Sequence, residues 1–148
     1  MFFFGKLYLF FFYFTNYPIH SASLVLFGVF PDFFFFIGHS RKKNVFVYGC
    51  LKKKKNRDRD PRPLEFPYML SNLSHPFSFM DSRFKVQRSK YGTGRVVGWR
   101  GFGINLSFTM EASFCGPSVG PNANTQFRTI DLERMGTLLC ANCSKCGV

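Results

Sequence analysis

"PDFFFFIGHSRKKNVFVYGC", Pro31 to Cys50, joins two unlike materials at one point. Before Gly38 the chain is almost pure phenylalanine; after it come a basic run and an alternating apolar segment. Such a block has three readings: a membrane segment, a core strand, or translated sequence that was never selected to fold. Residues 1–37 contain 13 of the 22 phenylalanines and, as charges, only Lys6 and Asp32. A signal peptide would use Lys6 as its charged start, Leu7 to Phe14 as its apolar stretch and "HSAS" as a cleavage region. A membrane helix needs roughly 20 apolar residues, and "TNYPIHSAS" and Pro31-Asp32 interrupt the runs. A hairpin in the membrane would put Asn16, Pro18 and His20 at its turn. The third reading rests on codons: phenylalanine is encoded by pyrimidine-rich triplets, so "DFFFFI" before Gly38 fits an intron tract ending at a splice acceptor. Poly-phenylalanine also lacks an amphipathic period. Translated non-coding sequence is the preferred reading, with the signal and membrane readings open beside it.

The length of 148 residues suits one domain. A net charge of +12 points to an acidic partner, whether nucleic acid, membrane surface or acidic peptide. Much of that charge lies in Gly38 to Pro63, where "CLKKKKNRDRDPRP" reads as a solvated, proline-ended connector. No aromatic residue interleaves that run for base stacking, so nucleic acid is not expected as a partner. Five cysteines, an odd number, argue against a closed disulfide framework and for a reducing compartment.

Periodicity predicts a strand at Asn44 to Tyr48 and a short helix in "LEFPYMLSNLSH", with Phe66, Met69, Leu70 and Leu73 on one side. It predicts an irregular strand in "FSFMDSRFKVQRS", broken near Asp81-Ser82. Two further strands are expected, at Arg95 to Trp99 and Ile104 to Glu111. A helix is expected in "TIDLERMGTLLC", with Asp131 and Glu133 in its first turn. Interspersed strands and helices indicate an α/β architecture.

Three features carry possible chemistry. Glu111 ends an apolar strand, where a carboxylate is either an ordinary strand-end residue or a general base. Arg95, in "GTGRVVGWR", is either a surface charge or an anion clamp, since a guanidinium grips a carboxylate through two parallel hydrogen bonds. The pair of glycines there is weak evidence for phosphate binding. "CANCSKC" spaces Cys140, Cys143 and Cys146 regularly, but a structural zinc needs four ligands, with Cys115 or a histidine completing the set.

"GHSRKKNVFVYGC", "GTGRVVGWR" and "INLSFTMEASFCG", in that order, resemble the carboxyl-terminal half of the catalytic domain of cytosolic carboxypeptidases. These are zinc metallocarboxypeptidases that remove glutamates from tubulin tails and other acidic protein termini. The resemblance covers roughly Gly38 to Gly136. It implies a partial mixed-sheet α/β domain truncated at its amino-terminal side, with residues 1–37 a separate apolar segment and 137–148 a divergent cysteine-rich tail. It implies Glu111 as the catalytic glutamate, which takes a proton from zinc-bound water and later protonates the leaving amine. It places Arg95 in the segment that shapes the specificity pocket, and it implies a cytoplasmic location.

Zinc itself is not expected on this chain. The family pattern is Asp-x-His-Gly-His-Ser, with the first histidine a ligand. Alignment on "GHS" puts Ile37 there and matches His39 to the second, non-ligand histidine. The other ligands come from a His-x-x-Glu motif, whereas His20, His39 and His75 are followed three residues later by Ser23, Lys42 and Ser78. The expectation is therefore a carboxypeptidase-like piece, inactive alone, with no metal ligands. The alternative is a non-enzymatic, membrane-associated basic protein anchored by residues 1–37, its basic run facing anionic lipid.

Overall fold

The computed structural model describes residues 3–4, 7–10, 27–30, 33–51 and 60–145. The basic run from Lys52 to Arg59, the suggested signal and hairpin features of residues 11–26, and Cys146 lie outside the described residues. Among the described residues six strands and three α-helices follow one another: β1 (Phe3–Phe4), β2 (Leu7–Phe10), β3 (Phe27–Phe30), β4 (Phe33–Ser40), β5 (Val45–Tyr48), α1 (Arg62–Leu73), α2 (Gly94–Gly101), β6 (Leu106–Ser113) and α3 (Thr129–Lys145). The strands form one sheet in the order β1-β2-β3-β4-β6-β5. Within it β4-β6-β5 form a mixed trio, with β6 parallel to β4 and antiparallel to β5. The chain is thus α/β, as expected. Among the described residues no helix is long and apolar enough to cross a membrane.

Alternation along β6 sets the layers. Leu106, Phe108, Met110 and Ala112 join Phe33, Phe35, Val45 and Val47 in the main core. Helices α1 and α3 supply Phe66, Leu70, Met135, Leu139 and Cys143 to the same cluster. The α1 helix starts with proline among its first residues and Glu65 in its first turn, both suited to a helix amino terminus. Of the residues expected on its inner side, Phe66 and Leu70 are buried, whereas Leu73 is exposed. The α3 helix runs five residues past its expected end and carries Cys140 and Cys143 within it. Asn142, fully buried, donates from Nδ2 to the Phe66 carbonyl at 2.8 Å and locks α3 to α1.

The expected strand at Arg95 to Trp99 is instead the helix α2. Two valines and three glycines make a poor helix former by propensity. Burial decides otherwise: neighbours Arg95 and Val96 are both buried while Val97 is 44% exposed, a pattern that strand alternation cannot produce. The Val96 and Val97 amides both donate to the Thr93 carbonyl, and the Ser107 hydroxyl of β6 donates to the Arg95 carbonyl at 2.6 Å. Packing on the sheet overrides intrinsic preference.

The strand expected in "FSFMDSRFKVQRS", broken near Asp81-Ser82, does not form: the segment 77–84 is irregular. It touches β5 at two isolated parallel bridges, Phe77 to Val45 and Arg83 to Tyr48. Between them the chain loops away, and the Ser82 hydroxyl accepts the Val47 amide at 3.1 Å in place of a carbonyl. Asn44 holds the turn before β5 at a positive φ of 72°, a conformation asparagine tolerates better than most side chains. Its Nδ2 donates to Asp81 at 2.9 Å, and its Oδ1 accepts from the Ser118 amide and hydroxyl.

β4 runs unbroken across the boundary expected at Gly38. Phe33 and Phe35 are each 2% exposed. Phe33 meets Phe66 edge-on at 5.1 Å and Phe108 at 5.9 Å. Replacing a core phenylalanine by alanine costs about 3–5 kcal/mol. Phe33→Ala and Phe35→Ala should each lower the unfolding free energy of the full chain by that amount, read as a fall in denaturant midpoint at unchanged slope. Midpoints unchanged by both substitutions would place these residues outside the folded unit.

Candidate functional site

Glu111 sits on the face of β6 opposite the main core. In the sheet its partners are Gly38 of parallel β4 and Phe46 of antiparallel β5. Phe46 is fully buried, while Gly38 presents no side chain. Half-burial raises the Glu111 carboxyl above the usual carboxylate range, because desolvation disfavours its charged form. His39, Arg95 and Lys90 pull in the opposite direction through their charge without cancelling the effect.

Arg95 reaches the same cleft from the first turn of α2. Its side chain is buried, with Nη1 donating to the Thr93 hydroxyl at 3.2 Å and Cζ 5.5 Å from the Tyr48 ring centre. Its Nε is buried without a hydrogen-bond partner. Beneath it lies the Cys50 thiol, which burial pushes up to about 11, the Arg95 charge lowering it only in part. A thiol so held is not a nucleophile at neutral pH. Glu111 and Arg95, the two site residues expected from the sequence, therefore share one cleft.

That cleft encloses about 870 Å³. Lys42, Arg83, Lys85, Lys90 and Arg95 line it, with Glu111 the single carboxylate among the lining residues. Sequence reading had missed Lys42, Tyr48, Arg83, Lys85, Gln87 and Lys90. A signal was present in "RFKVQ": the apolar Phe84 and Val86 alternate with Arg83, Lys85 and Gln87, and those three all face the cleft.

The described residues lining the cleft do not make a ligand set for a catalytic zinc. Ile37, which the resemblance aligns with a histidine ligand, packs against the core, is among the residues lining the cleft, and has no metal-binding atom in its side chain. His39 stacks on Phe114, ring centres 4.8 Å apart. Among the described residues no three histidine, cysteine, aspartate or glutamate side chains gather where they would hold a metal. Cys143 belongs to the main core and Cys115 is exposed on a loop.

No family model matches the chain. It is 48% identical over 104 residues to cytosolic carboxypeptidase 3 of Bos taurus and 46% identical over 106 residues to cytosolic carboxypeptidase 2 of Danio rerio. It is 39% identical over 123 residues to cytosolic carboxypeptidase 4 of Mus musculus. These stretches cover 70%, 71% and 76% of this chain but 10%, 14% and 11% of the respective relatives. The chain thus spans little more than a tenth of the length of the curated relatives it matches. Over about 70% of its own length it is homologous to the cytosolic carboxypeptidases.

Proposed function

We propose that this chain carries the substrate-gripping part of a cytosolic carboxypeptidase site, from the carboxyl-terminal half of the catalytic domain. Its cleft receives an acidic protein carboxyl terminus, with glutamate-ended tails such as tubulin's as the substrate class. The observation that carries this reading is the buried Arg95, its Nε unpartnered, in a cleft where five cations surround one carboxylate. A guanidinium in that state has hydrogen-bonding capacity to offer an anion, and in a partly desolvated site a charge-assisted bond is stronger than in water. Glu111 is the proton-transfer group of the proposal. A carboxyl raised by burial holds its proton closer to neutrality, which suits a group that both accepts and returns one.

With Ile37 in place of a ligand and no His-x-x-Glu in the sequence, this chain binds such termini in the cytoplasm but hydrolyses none by itself. A peptide ending in glutamate should bind the full chain more tightly than its alanine-ended counterpart. Arg95→Ala should weaken the glutamate peptide alone, by about 1.5–3 kcal/mol, or roughly 10- to 150-fold in Kd. Titration calorimetry measures both. Equal weakening of both peptides would remove Arg95 from the specificity pocket. Release of free glutamate on adding zinc, abolished by Glu111→Gln, would overturn the claim of inactivity.

Glu111 also sets a pH dependence. Its carboxyl titrates higher in the folded chain than in the unfolded one, so between the two values the folded state binds more protons. Stability contributed by the protonated form is present at low pH and lost as pH rises through that window. Glu111→Gln, neutral throughout, escapes the loss. Its thermal midpoint should gain on wild type as pH rises from about 4 toward neutrality. A difference that stays flat, or shrinks with rising pH, would contradict the assigned environment.

A further inference from the structure

The register of the sheet places Glu111 between two unlike neighbours on its own face. On the β5 side stands Phe46, fully buried, whose ring meets Tyr48 edge-on at 5.6 Å. On the β4 side stands Gly38. A Cβ placed on Gly38 would lie 3.1 Å from Glu111 Oε1, 3.1 Å from Oε2 and 3.2 Å from Cδ. The carboxylate as a whole therefore lies over the bare Cα of Gly38. Contacts that short are tighter than nearly all real Cβ contacts, and all three affected atoms belong to the group whose placement matters.

We infer that Gly38 is the positioning residue of Glu111: its missing side chain forms the seat that directs the carboxylate into the cleft. The need at Gly38 is for space alone, since its φ is not in the left-handed region. This distinguishes it from Gly116, whose φ is +85° and where a Cβ would fall 1.7 Å from the Thr125 carbonyl oxygen. An alanine at Gly116 is a backbone fault; at Gly38 it pushes one side chain, that of Glu111, out of its present position. The inference rests on the reading of Glu111 as the proton-transfer group for its functional meaning, but not for its geometry.

A mutant cycle on the full chain tests the seat. Gly38→Ala should lower the thermal midpoint by roughly 3–8 °C when Glu111 is present. In the Glu111→Ala background the same substitution should cost less than half as much, because the clashing group is gone. Glu111→Asp, one methylene shorter, should restore part of the loss. Should Gly38→Ala alone fail to fold, recovery of a cooperative transition in the Gly38→Ala/Glu111→Ala chain makes the same point. Carbon-detected NMR of the glutamate carboxyls supplies a second readout. Displacement from the seat carries Glu111 toward water or toward the charges of Arg95 and Lys90, and either lowers its titration point. An equal cost of Gly38→Ala with and without Glu111, or an unmoved Glu111 titration, would overturn the seat. Coupling together with a wild-type Glu111 that titrates in the ordinary range would uphold the seat while removing the proton-transfer role.

Discussion

The parallel pairing of β4 with β6 is the constraint on which the rest depends. One register, Phe33 with Leu106 through Ser40 with Ser113, fixes both faces at once. On the core face it brings Phe33 and Phe35 against Phe108, with Phe66 closing the aromatic cluster from α1. On the cleft face it sets Gly38 beside Glu111. A slip of one residue would exchange Phe33 and Phe35 for Phe34 and Phe36 on the core face and set Ile37 or His39, instead of Gly38, beside Glu111. The site geometry thus depends on this one register, because the same backbone hydrogen bonds serve both faces.

A second tie links the site to the fold through Arg95. Its carbonyl accepts the Ser107 hydroxyl at 2.6 Å and faces the Cys50 thiol, while its guanidinium projects past Tyr48 into the cleft. The backbone of this residue is therefore anchored to β6 and its side chain is left for a ligand. Burial of a cation is costly without compensation. Here the Tyr48 face and the Thr93 hydroxyl supply only part of it, and the remaining hydrogen-bonding capacity points toward an anion.

The sequence made some of this legible and hid the rest for identifiable reasons. β5 and β6 were visible because alternation and β-branched or aromatic content agree there. The helices α1 and α3 were visible because apolar spacing and first-turn acids agree. Glu111 was found by its position at the end of an apolar strand and by resemblance. The α2 helix was not, because "GRVVGWRG" has the composition of a strand and becomes helical only by packing on β6. Nor was the charged wall of the cleft: Arg83 and Lys85 were read past in favour of the phenylalanine between them. The seat at Gly38 was invisible in principle, since it exists only in the pairing of residues 73 positions apart.

The electrostatics of the cleft complete the chain of cause. Five cations and one half-buried carboxylate share about 870 Å³. At separations within a Debye length of about 8 Å, like charges repel and raise the cost of the empty cleft, even where water screens them. Glu111 is the one carboxylate among the described lining residues, and desolvation disfavours its charged form. The acidic terminus of the proposed function would relieve the imbalance twice, by pairing with the guanidinium and by offsetting the charge of the lysines around it. A cation added at Ile37 would act in the opposite sense, meeting hydrocarbon where it needs a ligand and positive charge where it needs negative. The cluster of cations that disfavours a metal ion in the cleft is the same feature that supports the proposed binding of an acidic terminus.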